Sequence, residues 1–233
     1  MYEMNIRVRY SETDREHRVR LHHLLDYFQD IATFHSMSFG LYGPGTPSED
    51  VWYLLCWDVK ISRYPLLGER LRLVTDPYKM KGFYGYRRFS IYDEKDEEIV
   101  SADSIWLLMD AEKMIPRRIS KELTDTYVDP GSDQTVTIKR KLPDKGRWEP
   151  ARTIEVTDLF LDYNKHVNNA FYVQWARMLL PDRIEVSRLK VDYRQSAVSG
   201  DILQMDTYRQ EGLCRVRFRN QEDLLIAMVD MYL

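Results

Sequence analysis

The amino-acid sequence predicts an α+β protein in which one plan is used twice. Short stretches of strict alternation lead through a polar turn into an apolar stripe at helical spacing, in both halves of the chain. Each stripe is followed by four strand-like runs separated by turn signals. The second set follows the first at a spacing of ~146–148 residues, the mark of an internal repeat.

The first half opens with Ile6, Val8 and Tyr10 on one face of a strand. Ser11 to Arg18 is polar and reads as a turn. Leu21, Leu24, Leu25, Phe28, Ile31 and Ala32 then mark one face of a helix, with Gly40 as its C-terminal cap. Strand-like runs occupy residues 51–62, 69–78, 82–92 and 98–109, and Asp93-Glu94-Lys95-Asp96 is the turn between the last two.

In the second half Ile154 and Val156 alternate and Asp162 to His166 form the polar turn. Ala170, Phe171, Trp175 and Met178 make the helical stripe, which Pro181 stops. Runs at 184–193, 201–209, 214–219 and 224–232 complete it. The polar stretch from Ser120 to Pro150, with Pro130-Gly131-Ser132-Asp133 and Pro143-Asp144-Lys145-Gly146, reads as a connector. Domains are therefore expected at residues 1–125 and 151–233, with a linker at 126–150.

Of 233 residues, 44% are hydrophobic, enough for one large or two small cores. The charge is −3, from 34 basic against 37 acidic side chains, which excludes the basic footprint of a nucleic-acid binder. Cys56 and Cys214 sit far apart in apolar runs and read as buried free thiols. No leader-like segment follows Met1 and no apolar run approaches ~20 residues, so the expectation is a cytoplasmic protein without a membrane partner.

Asp162-Tyr163-Asn164-Lys165-His166-Val167-Asn168-Asn169 carries the chemistry. It gathers an acid, amides and an imidazole where a helix begins, and a helix N-terminus offers unpaired N–H groups and a positive dipole end to an oxyanion. A cap alone needs one polar residue. Histidine, with an unperturbed pKa of ~6.5, suits proton transfer near neutral pH. His166 is the expected acid–base residue. Asp162 is expected to orient it or hold a water, and Asn164 to donate to a carbonyl oxygen. Asn168 and Asn169 are expected to cap and brace the helix.

This stretch resembles the D-x-N-x-H-V-N-N-x-x-Y-x-x-W signature of the acyl-acyl carrier protein thioesterases, matched by Asp162, Asn164, His166, Val167, Asn168, Asn169, Tyr172 and Trp175. Trp52 with Arg63-Tyr64-Pro65-Leu66-Leu67-Gly68-Glu69, the helix Phe28 to His35, and Ser104 to Asp110 resemble three further segments of that family. The resemblance implies two tandem hotdog domains, the first holding the acyl chain and the second hydrolysing it. It implies no metal and no organic cofactor. The implied substrate is a fatty acyl thioester and the implied partner acyl carrier protein; a homodimer is left open. An acyl-CoA thioesterase and a catalytically silent acyl-binding protein are the alternatives.

Two departures stand out. The family's strand after the second helix carries Y-[RK]-x-E-[CA], where this chain has Tyr193-Arg194-Gln195-Ser196-Ala197. Ser196 thus replaces a glutamate and Ala197 a cysteine, which removes a Cys–His–Asn triad. Phe160 replaces a further acid. At the equivalent turn of the first half, Glu16, Arg18 and Arg20 are expected opposite the acid, Asn and His, leaving that half without the reactive set. The cluster His17, His22, His23 and Asp26 lacks the ligands of a metal site. Because acyl carrier protein is acidic, basic pairs are docking candidates: Lys79 with Lys81, Arg87 with Arg88, Arg117 with Arg118, and Lys139-Arg140-Lys141.

Overall fold

The computed structural model describes residues 1–46 and 49–233. The chain divides into two compact units, Met1–Leu55 with Val59–Ile138, and Cys56–Asp58 with Lys139–Leu233. Each has the hotdog plan, one main helix against an antiparallel sheet.

In the first unit β1 (Tyr2–Arg7) leads to α1 (Leu21–Ser38), followed by β2 (Asp50–Ile61), β3 (Arg70–Lys81), β4 (Tyr84–Tyr92) and β5 (Glu98–Asp110). The sheet order is β1-β3-β4-β5-β2. All six apolar positions expected on the helix face are buried. They meet alternate residues of the sheet, with Phe28 and Phe89 ring centroids 5.0 Å apart. Each of the leucine, isoleucine and phenylalanine side chains among the six contributes about 1.5–3 kcal/mol relative to exposure. Gly40 ends α1 as expected: its φ of 69° is left-handed, and the Gly40 and Leu41 amides donate back to Met37 and Ser36 carbonyls.

The first strand is shorter than the alternation predicts. It ends at Arg7, and Tyr10 is 82% exposed in a single 3-10 turn, Tyr10–Glu12. That turn carries Glu12 inward, where its carboxylate accepts from Tyr27 Oη (2.6 Å) and from the Arg9 amide (2.7 Å). A buried carboxylate with three donors outweighs a strand position for Tyr10.

The second unit runs β6 (Glu149–Glu155), α3 (Asn169–Arg177), β7 (Arg188–Tyr193), β8 (Ile202–Gln210), β9 (Leu213–Arg219) and β10 (Leu225–Tyr232), with sheet order β7-β10-β9-β8-β6. The buried face of α3 is Ala170, Tyr172, Val173, Trp175 and Ala176. Met178, expected in that stripe, is exposed because the helix has ended one residue earlier. Cys56 and Cys214 are buried and form no disulfide, as expected. No helix among the described residues is long and apolar enough to cross a membrane.

The stretch expected to be a connector contains α2 (Lys121–Tyr127), capped by Ser120 Oγ on the Leu123 amide at 3.0 Å. Beyond it, arginines hold the chain down. Arg88 donates to the Asp133 and Thr135 carbonyls (2.9 and 2.6 Å) in the first unit. In the second, Arg194 and Arg215 donate to the Leu142 and Pro143 carbonyls (2.8 and 3.2 Å). Polar composition hid this, because the bonds come from side chains far away in sequence.

Candidate active site

The polar turn folds around Asp162. Its amide donates to the His166 carbonyl (2.7 Å), and the Lys165 amide donates back to the Asp162 carbonyl (3.0 Å). Asp162 Oδ1 accepts from the Asn164 amide (2.8 Å) and the His166 amide (3.3 Å). Closing so tight a loop places Lys165 in the left-handed region, at φ 60°. Asp162 and His166 are half-buried, and Asn164 is exposed.

Three bonds fix the turn to its unit. The Val167 amide donates to the Ala197 carbonyl (2.9 Å), which brings the loop holding Ser196 beside His166. Asn168 caps α3, its Oδ1 accepting from the Ala170 amide at 3.0 Å. Tyr193 Oη donates to the Asn169 carbonyl (2.9 Å), pinning the helix start to β7. Ser196 itself is exposed. The structure thus joins Asp162, Asn164 and His166 in one turn and sets Ser196 on the loop bonded to it.

The partner loop is a second shared element. The Gly200 amide donates to the Val156 carbonyl (2.9 Å), the Val156 amide to the Asp201 carbonyl (2.8 Å), and the Val198 amide to Asp201 Oδ2 (2.9 Å). Asp201 and Tyr193 were not among the sequence candidates.

The first unit builds the same pair of loops bond for bond. The Asp14 amide donates to the Arg18 carbonyl (2.8 Å), the His17 amide to the Asp14 carbonyl (3.1 Å), and His17 has φ 61°. Asp14 Oδ1 accepts from the Glu16 and Arg18 amides, each at 2.9 Å. The Val19 amide donates to the Pro65 carbonyl (2.9 Å), and Gly68, Val8, Glu69 and Leu66 repeat the bonds of Gly200, Val156, Asp201 and Val198. Asp14 therefore corresponds to Asp162, Glu16 to Asn164, Arg18 to His166, Arg20 to Asn168 and Tyr64 to Ser196. This corrects the register expected from sequence: the first half does keep the acid, and what it lacks is an asparagine and a histidine at the places of Asn164 and His166, its own His17 corresponding to Lys165.

Behind the turns the packing differs. Glu12 and Tyr27, joined by a hydrogen bond, occupy the places of Phe160 and Trp175, which meet edge to face at 5.2 Å. Burial pushes the Glu12 pKa up, but hydrogen bonds from Tyr27 and Arg9 outweigh it and hold the carboxyl below its ordinary range. Phe160 needs no such donors.

Of the basic pairs expected to dock a partner, Arg87 is only 7% exposed. Its Nη1 donates to Thr75 Oγ1 (3.2 Å) and to His35 Nδ1 (3.1 Å). Burial lowers Arg87 to about 10; burial and that neighbouring cation lower His35 to about 3. Arg88 is committed to the carbonyls above, and Arg117 to Glu49 and Asp50. His23 Nδ1 lies 2.8 Å from Asp26 Oδ2 as a helix-surface pair.

Residues 1–127 match the family model described as the acyl-ACP thioesterase N-terminal domain, and residues 149–229 the one described as its C-terminal domain. The chain is 25% identical over 223 residues to the chloroplastic acyl-[acyl-carrier-protein] hydrolase FATB2 of Cuphea viscosissima, covering 88% of this chain and 54% of that protein. It therefore spans about half the length of the curated relatives it matches. Its fold is that of an acyl-ACP thioesterase from Bacteroides thetaiotaomicron, with a TM-score of 0.85 at 18% identity over 99% of this chain and 96% of the other. The 12:0-ACP thioesterase of Umbellularia californica gives 0.81 at 19% identity over 99% and 96%.

Proposed function

The chain belongs to the acyl-ACP thioesterase family, and from that premise we propose that it hydrolyses fatty acyl thioesters of acyl carrier protein. The products are free fatty acid and the holo carrier. The observation that carries the reading is the repeated turn, in which one backbone scaffold bears Asn164 and His166 in the second unit where the first has Glu16 and Arg18.

In the proposed reaction a water attacks the thioester carbonyl carbon. His166 takes the proton from that water as the C–O bond forms. Negative charge then develops on the carbonyl oxygen, where the Asn164 side-chain amide, Nδ2, and the positive end of α3 stabilise it. The C–S bond breaks as His166 returns the proton to the departing thiolate. Asp162 acts chiefly by holding Asn164 and His166 in place, since its Oδ1 is bound to both of their amides. Ser196, where the family has a glutamate, can hydrogen-bond the water but cannot deprotonate it near neutral pH. A cytoplasmic setting belongs to the same proposal, supported by two buried cysteines that form no disulfide.

Ser196 also supports a second reading, an acyl-binding protein without turnover. Release of free fatty acid from acyl carrier protein and from acyl-CoA by the purified protein separates the readings. The proposal expects turnover with the carrier-bound substrate; none with either substrate overturns it in favour of the silent one.

A further inference from the structure

The first unit's copy of the turn has lost the reactive pair but kept an unusual surface. Residues 7–20 hold five arginines against three carboxylates, a local excess of positive charge on a chain whose net charge is −3. The carboxylates are used locally: Glu12 is buried beneath Arg9, Asp14 binds the turn's amides and Arg18, and Glu16 pairs with Arg15. On the adjoining loop, Arg63 is held by Glu69 and Asp93.

Two arrangements here are unfavourable in the isolated unit. Arg7 is the register partner of Arg70 in the β1–β3 ladder, a like-charge pairing that destabilises a sheet, and its Nε donates to the uncharged Gly68 carbonyl (3.0 Å). Arg20 is the N-cap of α1 with no side-chain cap bond; its Nη1 donates to the Ser11 carbonyl (3.1 Å), which leaves its full positive charge near the helix's positive end. An anionic partner relieves both.

Among these arginines lie exposed apolar side chains. Tyr10 is 82% exposed, Leu66 50% and Leu67 39%. They belong to one surface, because the Leu67 amide donates to the His17 carbonyl (2.8 Å) and the Gly68 amide to the Val8 carbonyl (3.0 Å). Apolar contacts ringed by arginine fit a protein surface of opposite charge, with the charges governing encounter and the apolar centre the dwell time.

We propose that this face of the first unit, with Arg7, Arg15 and Arg20 around Tyr10, Leu66 and Leu67, docks an acidic carrier protein. The inference rests on the carrier-thioesterase reading and names a surface for it outside the four basic clusters that the sequence suggested. The former half-site would then serve recognition, its twin the chemistry.

The test is the binding of fluorescently labelled acyl carrier protein, followed by anisotropy at two ionic strengths. Arg15→Glu with Arg20→Glu should weaken binding at least ~10-fold and flatten its salt dependence, the signature of lost steering between exposed charges. Tyr10→Ser with Leu66→Ser alters no buried group and should weaken binding while leaving the salt dependence intact. Lys139→Glu with Lys141→Glu should bind as the parent does. Parental binding by both of the first two variants, or no carrier binding by the parent, overturns the docking site. A parent that binds carrier but releases no fatty acid contradicts the hydrolase reading and leaves the docking site standing.

Discussion

The Asp14–Val19 and Asp162–Val167 turns share their hydrogen bonds, their left-handed residue and their partner loop, yet only the second has an asparagine two residues and a histidine four residues after its aspartate. The comparison separates scaffold from chemistry. An aspartate present in both turns, bonded alike in both, is there for the backbone. Residues that differ, Asn164 against Glu16 and His166 against Arg18, are where function can reside. The same holds one layer down, where Glu12–Tyr27 and Phe160–Trp175 fill one space by a buried hydrogen bond and by aromatic contact.

The largest effect should come from His166. His166→Ala is expected to lower the hydrolysis rate at least ~10²-fold, the usual scale for losing acid–base help. Arg18→Ala, at the matching place, should leave the turnover number within about threefold. Equal losses in steady-state assays would erase the distinction between the turns.

The aspartates sharpen it. Asp14→Ala and Asp162→Ala each remove an acceptor of two backbone amides and should cost roughly 1–2 kcal/mol by urea unfolding. Their stability effects should match, while only Asp162→Ala costs at least ~10²-fold in rate, because only there does the turn hold a catalytic group. If Asp14→Ala loses as much activity, the loops do not divide the work.

Acid should strike the first unit. Burial first, then the neighbouring cations, holds His22 and His35 at about 4 and 3, and both lie there. A folded-state pKa below the unfolded value of ~6.5 means that unfolding takes up protons. Their contribution to stability is complete above that value and is lost as pH falls from ~6.5 toward 4. Glu12, also lowered, adds a loss that begins as pH falls to the ordinary carboxyl range and continues below it. Urea midpoints should fall over this window, and less steeply in His35→Gln; identical slopes would remove His35 from the account.

The smallest effects belong to Ser196. Ser196→Ala should cost less than ~10-fold, since a second water contact can substitute, and Ser196→Glu should raise turnover modestly if the carboxylate stays ionised. Loss of all activity in Ser196→Ala with activity kept in His166→Ala would make the serine the nucleophile.

Much of this was legible in the sequence. The strands, α1 and the grouping of Asp162, Asn164 and His166 follow from alternation, helical spacing and a dense polar turn, all local signals. The register of the repeat was not, because both turns are rich in charge and Glu16 imitates the aspartate two residues earlier. Gly68-Glu69 and Gly200-Asp201 would have fixed it, as each glycine has a positive φ that a tight loop needs. The buried Arg87 and the strapped residues 133–144 were also hidden, since a basic or polar residue reads as exposed until its distant partners are known.

The most direct test of the division is to transplant the first turn's side chains onto the second. Because the backbones share one set of bonds, Asn164→Glu with His166→Arg should fold with a thermal midpoint near the parent's. The rate of fatty acid release from acyl carrier protein by this variant is the deciding measurement. The account predicts a fall of at least ~10²-fold in a folded protein. A folded variant that retains the parental rate would contradict it.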